Sequence, residues 1–201
     1  MTRQKKLSQN FYSRNVITVA KELLGKTIVR KYGSSILSGM IVEVEAYDGS
    51  VDRAAHTFNG KTKRNEVMFE QGGLLYVYFT YGVHFCCNVV TGKAGLGNAV
   101  LIRAVEPLEG IDIMAKNRFN KTDLTESEKI NLANGPGKIC RAFNIDRRHN
   151  GVNLTGSEIF LLYNKKIPKS DIAVTTRIGI KKSVDLPWRF YIKNNKFISK
   201  K

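Results

Sequence analysis

Glu43 and Glu45, in the segment GMIVEVEAYDGS at positions 39–50, are the first residues whose type and spacing could do chemistry. Read as a strand, the segment alternates: Met40, Val42, Val44 and Ala46 form one apolar face, and Ile41, Glu43, Glu45 and Tyr47 form the other. Carboxylates on a core-grade strand can act as a base that activates water, or as an anion beside a developing cation. They can equally be ion-pair partners for Arg103, which interrupts the apolar run AVLIRAVEP on the side of Leu101 and Val105. A buried Arg needs an anionic partner, either one of these carboxylates or a phosphate at the rim of a site. Spacing alone does not say which Glu acts.

A second set of residues is aromatic. In LLYVYFTYGVHFCCNVV, two strand runs meet near TYG, with Tyr76, Tyr78 and Thr80 on one face, Leu75, Val77 and Phe79 on the other, and Tyr81 at the turn beside Gly82. A large ring at a hairpin tip either folds back as turn packing or serves as a wedge that enters a stacked duplex. Tyr47, Tyr76, Tyr78 and His56 are flat π systems on or next to the glutamate and hairpin strands. Aromatic strand residues commonly fill cores, but rings that converge form a slot that stacks a base.

Basic residues complete the set. HTFNGKTKRNEVMF gathers Lys61, Lys63 and Arg64 in a polar loop, which is either solvated surface or a phosphate clamp. NLANGPGKICRAF lacks the spacing and the Ser or Thr of a Walker motif, so nucleoside triphosphate hydrolysis is not expected; its turn into a helix N-terminus, with Lys138, is a candidate seat for one backbone phosphate. His84 lies close to Cys86, but neither a CxxC pair nor an HExxH helix is present, and no metal site is expected.

The elements that must position these residues follow from periodicity. SRNVITVAKELLGK predicts a helix with Ser13 or Asn15 as cap and Gly25 past its end. TIVRKY, SGMIVEVEAY, LLYVYFTY, VHFCCNVV, AVLIRAVEP, EIFLLY, AVTTRIGI and RFYIK read as strands. Pro107 is expected to open a helix through LEGIDIMAK, Thr125 and Glu128 have capping-box spacing before KINLAN, and Pro136 is expected to start a short helix through GKICRAF. Strands outnumber helices and no repeat or low-complexity linker divides the chain. The reading is a single α+β domain over residues 1–201, built around a largely antiparallel sheet, with basic tails at about 1–9 and 194–201.

Composition narrows the partner. A chain of 201 residues, 42% hydrophobic, has the material for one full core. Its 33 Lys and Arg against 17 Asp and Glu give a formal net charge of +16, which favours a polyanionic partner, nucleic acid first and an acidic membrane surface second. The sequence contains no apolar stretch of signal-peptide length at its N-terminus and no run long enough to span a bilayer, so a soluble cytoplasmic protein is expected. Cys86, Cys87 and Cys140 are odd in number and suggest reduced thiols rather than a disulfide framework.

In their order and spacing, the blocks VEVEAYDGSVDRAAH, RNEVMF, LYVYFTYGVHFCCNVV, AVLIRAVEPLEG, NGPGKIC and RIGI…DLPWRF closely resemble the alkyladenine or 3-methyladenine DNA glycosylase family, especially its bacterial members, from about position 10 to about 193. The resemblance implies a single mixed α/β domain with a curved antiparallel sheet, flanking helices and a protruding β-hairpin that intercalates into DNA. It implies base excision repair by a monofunctional glycosylase with no metal and no cofactor. Such an enzyme flips alkylated or deaminated purines out of the duplex (3-methyladenine, with 7-methylguanine, hypoxanthine or ethenoadenine as further candidates) and hydrolyses the N-glycosidic bond to leave an abasic site.

By the same resemblance, Glu45 is the general base, Arg103 lines the site near the water and sugar-phosphate, and Tyr47, His56 and Tyr78 wall the base pocket, with the His56 main chain reading the base edge. Asn88 resembles the residue that crowds the exocyclic amine of guanine, and Tyr81 the one that fills the gap left by the flipped nucleotide. Lys61, Arg64 and Lys138 are the candidate DNA-backbone contacts; many bacterial relatives have Arg and Pro where Lys61 and Lys63 stand, which keeps the charge but removes bidentate phosphate geometry at position 61. The expected partner is double-stranded DNA containing damaged purines, bound by a monomer in the bacterial cytoplasm at the nucleoid, without a membrane. A nonenzymatic protein that recognises distorted or unpaired strands fits the charge and the aromatics as well.

Overall fold

The strand that carries both glutamates, β2 (Ser35–Tyr47), is the spine of a mixed α+β fold, which a computed structural model describes for residues 5–200. It pairs antiparallel with β1 (Thr27–Tyr32) through its first half and with β5 (Asn98–Glu109) along most of its length. The hairpin β3 (Leu75–Thr80) and β4 (His84–Thr91) adds to β5, and β6 (Ile159–Leu162) adds to β1, giving the order β3-β4-β5-β2-β1-β6. β8 (Arg189–Ile192) pairs with β2 at Glu43–Glu45 and carries β7 (Ile172–Thr175). The whole antiparallel sheet curls into a half-barrel.

The helices pack on one face of this sheet. In α2 (Val16–Leu23), Asn15 Oδ1 accepts from the Ile17 and Thr18 N–H groups, which would otherwise lack partners. Val16, Val19, Ala20 and Leu23 form its buried stripe, and Gly25 at φ +78° ends it. The Thr125–Glu128 capping box opens α4 (Glu126–Asn131), and Pro136 is the first residue of α5 (Pro136–Ala142), as expected. Together with α3 (Ile111–Phe119) and the short α1 (Gln9–Tyr12), they bury Leu23, Met114, Ile139 and Phe143 against Ile28, Val44, Val89 and Ile102 of the sheet. Each such apolar side chain contributes about 1.5–3 kcal/mol by leaving water. The opposite face carries two smaller clusters, one around Tyr76 and Val90, the other around Val42, Ala104 and Ile198.

Four expectations are corrected. Strict alternation fails in β2 because the register slips between Ile41 and Val44. Ile41, Val44 and Ala46 share the main core, whereas Val42, with Met40 against it, belongs to the opposite cluster. A bulge places two successive side chains on one face, and here Val42 and Glu43 both leave the core. β5 slips in compensation, so Val105 sits in the main core while Arg103 and Leu101 share the far side.

Pro107 does not open a helix: it lies within β5 opposite Gly39, at another register shift where a missing N–H is tolerated. A Cβ on Gly39 would lie 2.3 Å from Val105 Cγ1, so only glycine allows this crossing, and α3 begins after Gly110 at φ +74°. The AVTTRIGI strand stops at Thr175, and Ile178, Gly179 and Ile180 turn away to form a wall of the site. Finally, the basic termini are not tails. Residues 1–4 and 201 lie outside the described residues, but Lys6 bridges to Leu162, Leu7 is buried, Ile198 is buried, and Ser199 bonds to Glu43.

Candidate active site

The face of the sheet opposite the main core holds a cavity of about 400 Å³ to which β2, the β3–β4 hairpin, β5, two loops and Pro136 at the start of α5 contribute. Tyr47, His56, Tyr78, Tyr81, Asn88 and Arg103, all singled out from the sequence, line it together. Period two in β3 sends Tyr76 and Tyr78 to this side, where their rings stack at 5.4 Å and 22°. Their cross-strand partners in β4, Asn88 and Cys86, follow onto the same wall. The His56 ring meets Tyr78 edge-on at 4.5 Å, and its Nδ1 shares a 3.0 Å hydrogen bond with the Tyr76 hydroxyl. Asn88 donates from Nδ2 to the Tyr76 carbonyl at 3.3 Å, which fixes its amide.

His56 is exposed at the cavity mouth, but its ring is partly dehydrated among these side chains and lies near the Arg64 guanidinium. Loss of water first, and the Arg64 charge second, push its pKa down to about 4, so the ring is neutral at pH 7. Burial raises the Tyr47 and Tyr78 hydroxyls above their ordinary range and pushes the Cys86 thiol up to about 11, so all three keep their protons.

Glu45 sits behind this wall, fully buried. Its Oε2 accepts from the Tyr47 hydroxyl at 2.8 Å, and its Oε1 accepts from the Ile178 N–H at 2.8 Å and lies 3.2 Å from Arg103 Nη1. Tyr47, Ile178 and Arg103 all line the cavity, so Glu45 is the anion directly beneath three of its wall residues. Glu43 is turned elsewhere: it meets Arg103 Nε at 3.2 Å, Arg189 Nε at 2.7 Å and the Ser199 hydroxyl at 2.9 Å.

A fourth ion pair braces the wall. Asp52 and Arg177, both buried, form a two-pronged pair, and Arg177 also donates to the Ala46 and Ser183 carbonyls at 3.0 and 3.2 Å. The Arg177 guanidinium lies 4.6 Å from the Tyr47 ring centre and 5.5 Å from that of Trp188. Three guanidiniums thus balance three carboxylates in the interior beside the cavity.

Sequence reasoning missed Asp52, Arg177, Ile178, Arg189 and Asn65. The signal for Arg177 and Arg189 was the one that flagged Arg103, a guanidinium within an otherwise strand-like run. Asn65, buried, donates to the His56 and Gly60 carbonyls at 2.8 and 3.0 Å and accepts from the Thr62 N–H, which clamps the loop that presents His56.

The basic candidates separate. Arg64 stands at the rim, with its guanidinium 5.6 Å from the Tyr78 ring centre. Lys61 is exposed and faces Glu70 at 3.6 Å, away from the lining residues. Lys138 is half-buried and donates to Asn134 and Asn131 at 2.7 and 3.1 Å, so it staples the start of α5, whose first residue, Pro136, reaches the cavity. Tyr81 is 85% exposed at the hairpin tip, and it and Gly82 both have positive φ, 52° and 68°, as a tight twisted turn requires. Among the described residues no group of three or more His, Cys, Asp or Glu side chains could hold a metal ion.

This arrangement can stack a flat ring, hold a buried anion beside it, and present an aromatic wedge at the lip. The comparisons agree with it. The family model described as "Methylpurine-DNA glycosylase (MPG)" matches residues 10–196. Three proteins, each carrying the name "Putative 3-methyladenine DNA glycosylase", are similar along nearly the whole chain. That of Carboxydothermus hydrogenoformans is 50% identical over 196 residues, covering 97% of this chain and 99% of its own. That of Clostridium novyi is 47% identical over 203 residues, covering 98% and 100%. That of Francisella tularensis is 51% identical over 188 residues, covering 92% and 94%. A match of this extent, on a chain whose glutamate strand, aromatic hairpin and buried arginines meet at one cavity, means that the protein belongs to the methylpurine-DNA glycosylase family.

Proposed function

We propose that the protein is a 3-methyladenine DNA glycosylase of base excision repair, which binds damaged duplex DNA as a monomer, turns the lesion into the aromatic cavity and hydrolyses its N-glycosidic bond. The observation that carries this reading is Glu45, an anion set by Tyr47, Ile178 and Arg103 beneath the wall of an aromatic cavity in a chain of net charge +16. A protein that only bound nucleic acid would use such a carboxylate solely to neutralise Arg103, whereas hydrolysis has a use for its remaining lone pair.

The target C1′ is hidden in a duplex, so the nucleotide must leave the stack at a cost of about a few kcal/mol, less for a weakly paired base. Tyr81 occupies the gap. The base enters the slot beside Tyr47, Tyr78 and His56, and Asn88 stands where the exocyclic amine of guanine would clash. As the C1′–N bond breaks, the sugar becomes oxocarbenium-like, the kind of cation that carboxylates stabilise in glycoside hydrolysis. Glu45 Oε2, with one lone pair used by Tyr47, has another to take the proton of the attacking water. The dry surroundings strengthen both interactions.

A cationic alkylpurine is a good leaving group and stacks well on electron-rich rings. The neutral state of His56 matters here, because an imidazolium would repel such a base. Neutral lesions such as hypoxanthine or ethenoadenine need an added proton or hydrogen bond to leave, and rank below it. No Lys lines the cavity among the described residues, which favours hydrolysis by water over a Schiff-base route.

The test is release of free 3-methyladenine from methylated duplex DNA, with Glu45→Gln alongside the unaltered protein. The reading requires release by the unaltered protein and its loss in the variant, with lesion binding retained. Binding without release by the unaltered protein would favour the nonenzymatic alternative.

A further inference from the structure

We propose that Glu43 is a positioning residue for this reaction: clamped by Arg189 and Ser199, it holds one edge of the Arg103 guanidinium so that the other edge meets Glu45 through a single nitrogen. The inference rests on the glycosylase reading and assigns a role to the glutamate that the chemistry itself does not use.

The geometry is asymmetric. Arg103 points Nε at Glu43 Oε1 and Nη1 at Glu45 Oε1, each at 3.2 Å, while its Nη2 donates to the Ser199 hydroxyl at 3.4 Å, so it bridges two carboxylates rather than gripping one. An isolated guanidinium prefers to grip a carboxylate with two parallel bonds. It is denied that here because Glu43 is itself immobile. Arg189 Nε lies 2.7 Å from Glu43 Oε1, the Ser199 hydroxyl donates to the same oxygen at 2.9 Å, and the Ser199 N–H donates to Oε2. Arg189 is in turn held by the Thr175 hydroxyl and the Lys200 carbonyl. Ile198 anchors this C-terminal segment among Val42 and Ala104, the bulged residues of β2 and β5.

The consequence for catalysis follows from lone pairs. Among the described residues, Oε1 of Glu45 already serves Ile178 and Arg103, and Oε2 serves only Tyr47. If Arg103 were free to turn, its second nitrogen would compete for Oε2, the oxygen left to accept a proton, and the base would be weakened. The charged and titratable groups facing Glu45 are Tyr47 and Glu43 on its own strand, Arg103 on β5, Arg189 on β8, and Arg177 from the loop after β7. Of these, Arg103 is the cation in direct contact, and Glu43, together with the Ser199 hydroxyl bonded to it, is what turns it.

The experiment is a double-mutant cycle on single-turnover release of 3-methyladenine from methylated duplex, using the unaltered protein, Glu43→Gln, Arg103→Lys and the double variant, each checked by thermal unfolding. Glu43→Gln is expected to lower the rate by up to about 100-fold, the scale of a misplaced catalytic group. A Lys ammonium presents a rotatable point charge with no planar fork for Glu43 to turn, so Glu43→Gln should cost little more once Arg103→Lys is present. The loss should fall on the rate at saturating enzyme and leave the affinity for lesion-bearing duplex unchanged, as a misaimed group at the reacting centre does and a loosened fold does not.

Multiplicative losses in the double variant would overturn the inference, as would a Glu43→Gln rate equal to that of the unaltered protein. If Glu43→Gln does not fold, Ser199→Ala loosens the same clamp more gently and must lower the rate in the same coupled way; an unchanged rate there sinks the idea. Absence of base release from the unaltered protein would overturn the glycosylase reading and this inference together, whereas release with an uncoupled cycle would overturn this inference alone.

Discussion

The interior beside the cavity and the tip of the β3–β4 hairpin sit at opposite ends of one site and are built on opposite principles. Glu43, Glu45 and Asp52 are fully buried, and each is held by at least one guanidinium together with a hydroxyl or a backbone N–H. Tyr81 is 85% exposed, in a left-handed conformation that a large L-residue rarely adopts, and joins no hydrophobic cluster. The first region is over-determined in the free protein; the second carries a left-handed backbone and exposed apolar surface. The contrast teaches that, on the proposed function, the groups that would act on atoms are fixed in advance, while the group that would fill the gap of a displaced nucleotide awaits the duplex.

The largest expected effect breaks the fixed region at its reacting atom. Glu45→Gln should reduce base release by about 10²–10⁴-fold, the range for loss of a general base, with DNA binding retained. A residual rate within tenfold of the unaltered protein would move the base elsewhere. Next in size is Asp52→Ala, which strands the buried Arg177 guanidinium and should lower stability by about 3–5 kcal/mol in chemical denaturation. Loss of less than about 1 kcal/mol would mean that water reaches Arg177 and that the wall is softer than its hydrogen bonds suggest.

How much of this was legible in the sequence differs between the two regions in the same way. The hairpin depends on local rules: alternation assigned Tyr76 and Tyr78 to one face, and Tyr81-Gly82 marked the turn. The Asn15 cap, the Thr125–Glu128 box and Pro136 at a helix start are local in the same sense. The buried charge layer is not local. Its members come from positions 43 to 199 and meet only through sheet register, and the paired bulges in β2 and β5 decide which face Val42, Glu43 and Arg103 take. A pattern of period two carries no information about where a register slips. Pro107 failed as a helix signal for the same reason: its tolerance in a strand depends on Gly39, 68 positions away, lying opposite.

The exposed region is broken by relaxing it. Tyr81→Gly suits positive φ and should raise stability by up to about 1 kcal/mol, the strain of a left-handed L-residue less the extra chain freedom of glycine in the unfolded state. The same change should lower excision from duplex by about tenfold, equivalent to about 1.4 kcal/mol of unstacking no longer offset, and should hardly affect excision from a single strand. Stability up and duplex activity down, measured on one variant, would confirm that the tip is shaped for its partner. Equal losses on both substrates would make Tyr81 a wall of the cavity instead.

His56 stands where the two regions meet, and it sharpens where one passes into the other. Burial lowers its pKa first and the Arg64 guanidinium at the rim lowers it further, to about 4. Its ring resonances in an NMR titration should therefore stay unmoved from pH 7 until close to that value. In the unfolded chain the same group takes up a proton near its ordinary pKa of about 6.5, so stability attributable to His56 is complete above that pH and falls as pH drops towards about 4. The effect is the smallest of those considered, because the ring is open to solvent at the cavity mouth and the interaction with Arg64 is screened. Arg64→Ala should raise the midpoint part of the way back, with burial accounting for the remainder. A midpoint near 6.5 in the unaltered protein would mean that the rim carries an imidazolium in mild acid, and it would shift the border between prearranged interior and adaptable lip inward, past His56 to the stacked rings of Tyr76 and Tyr78.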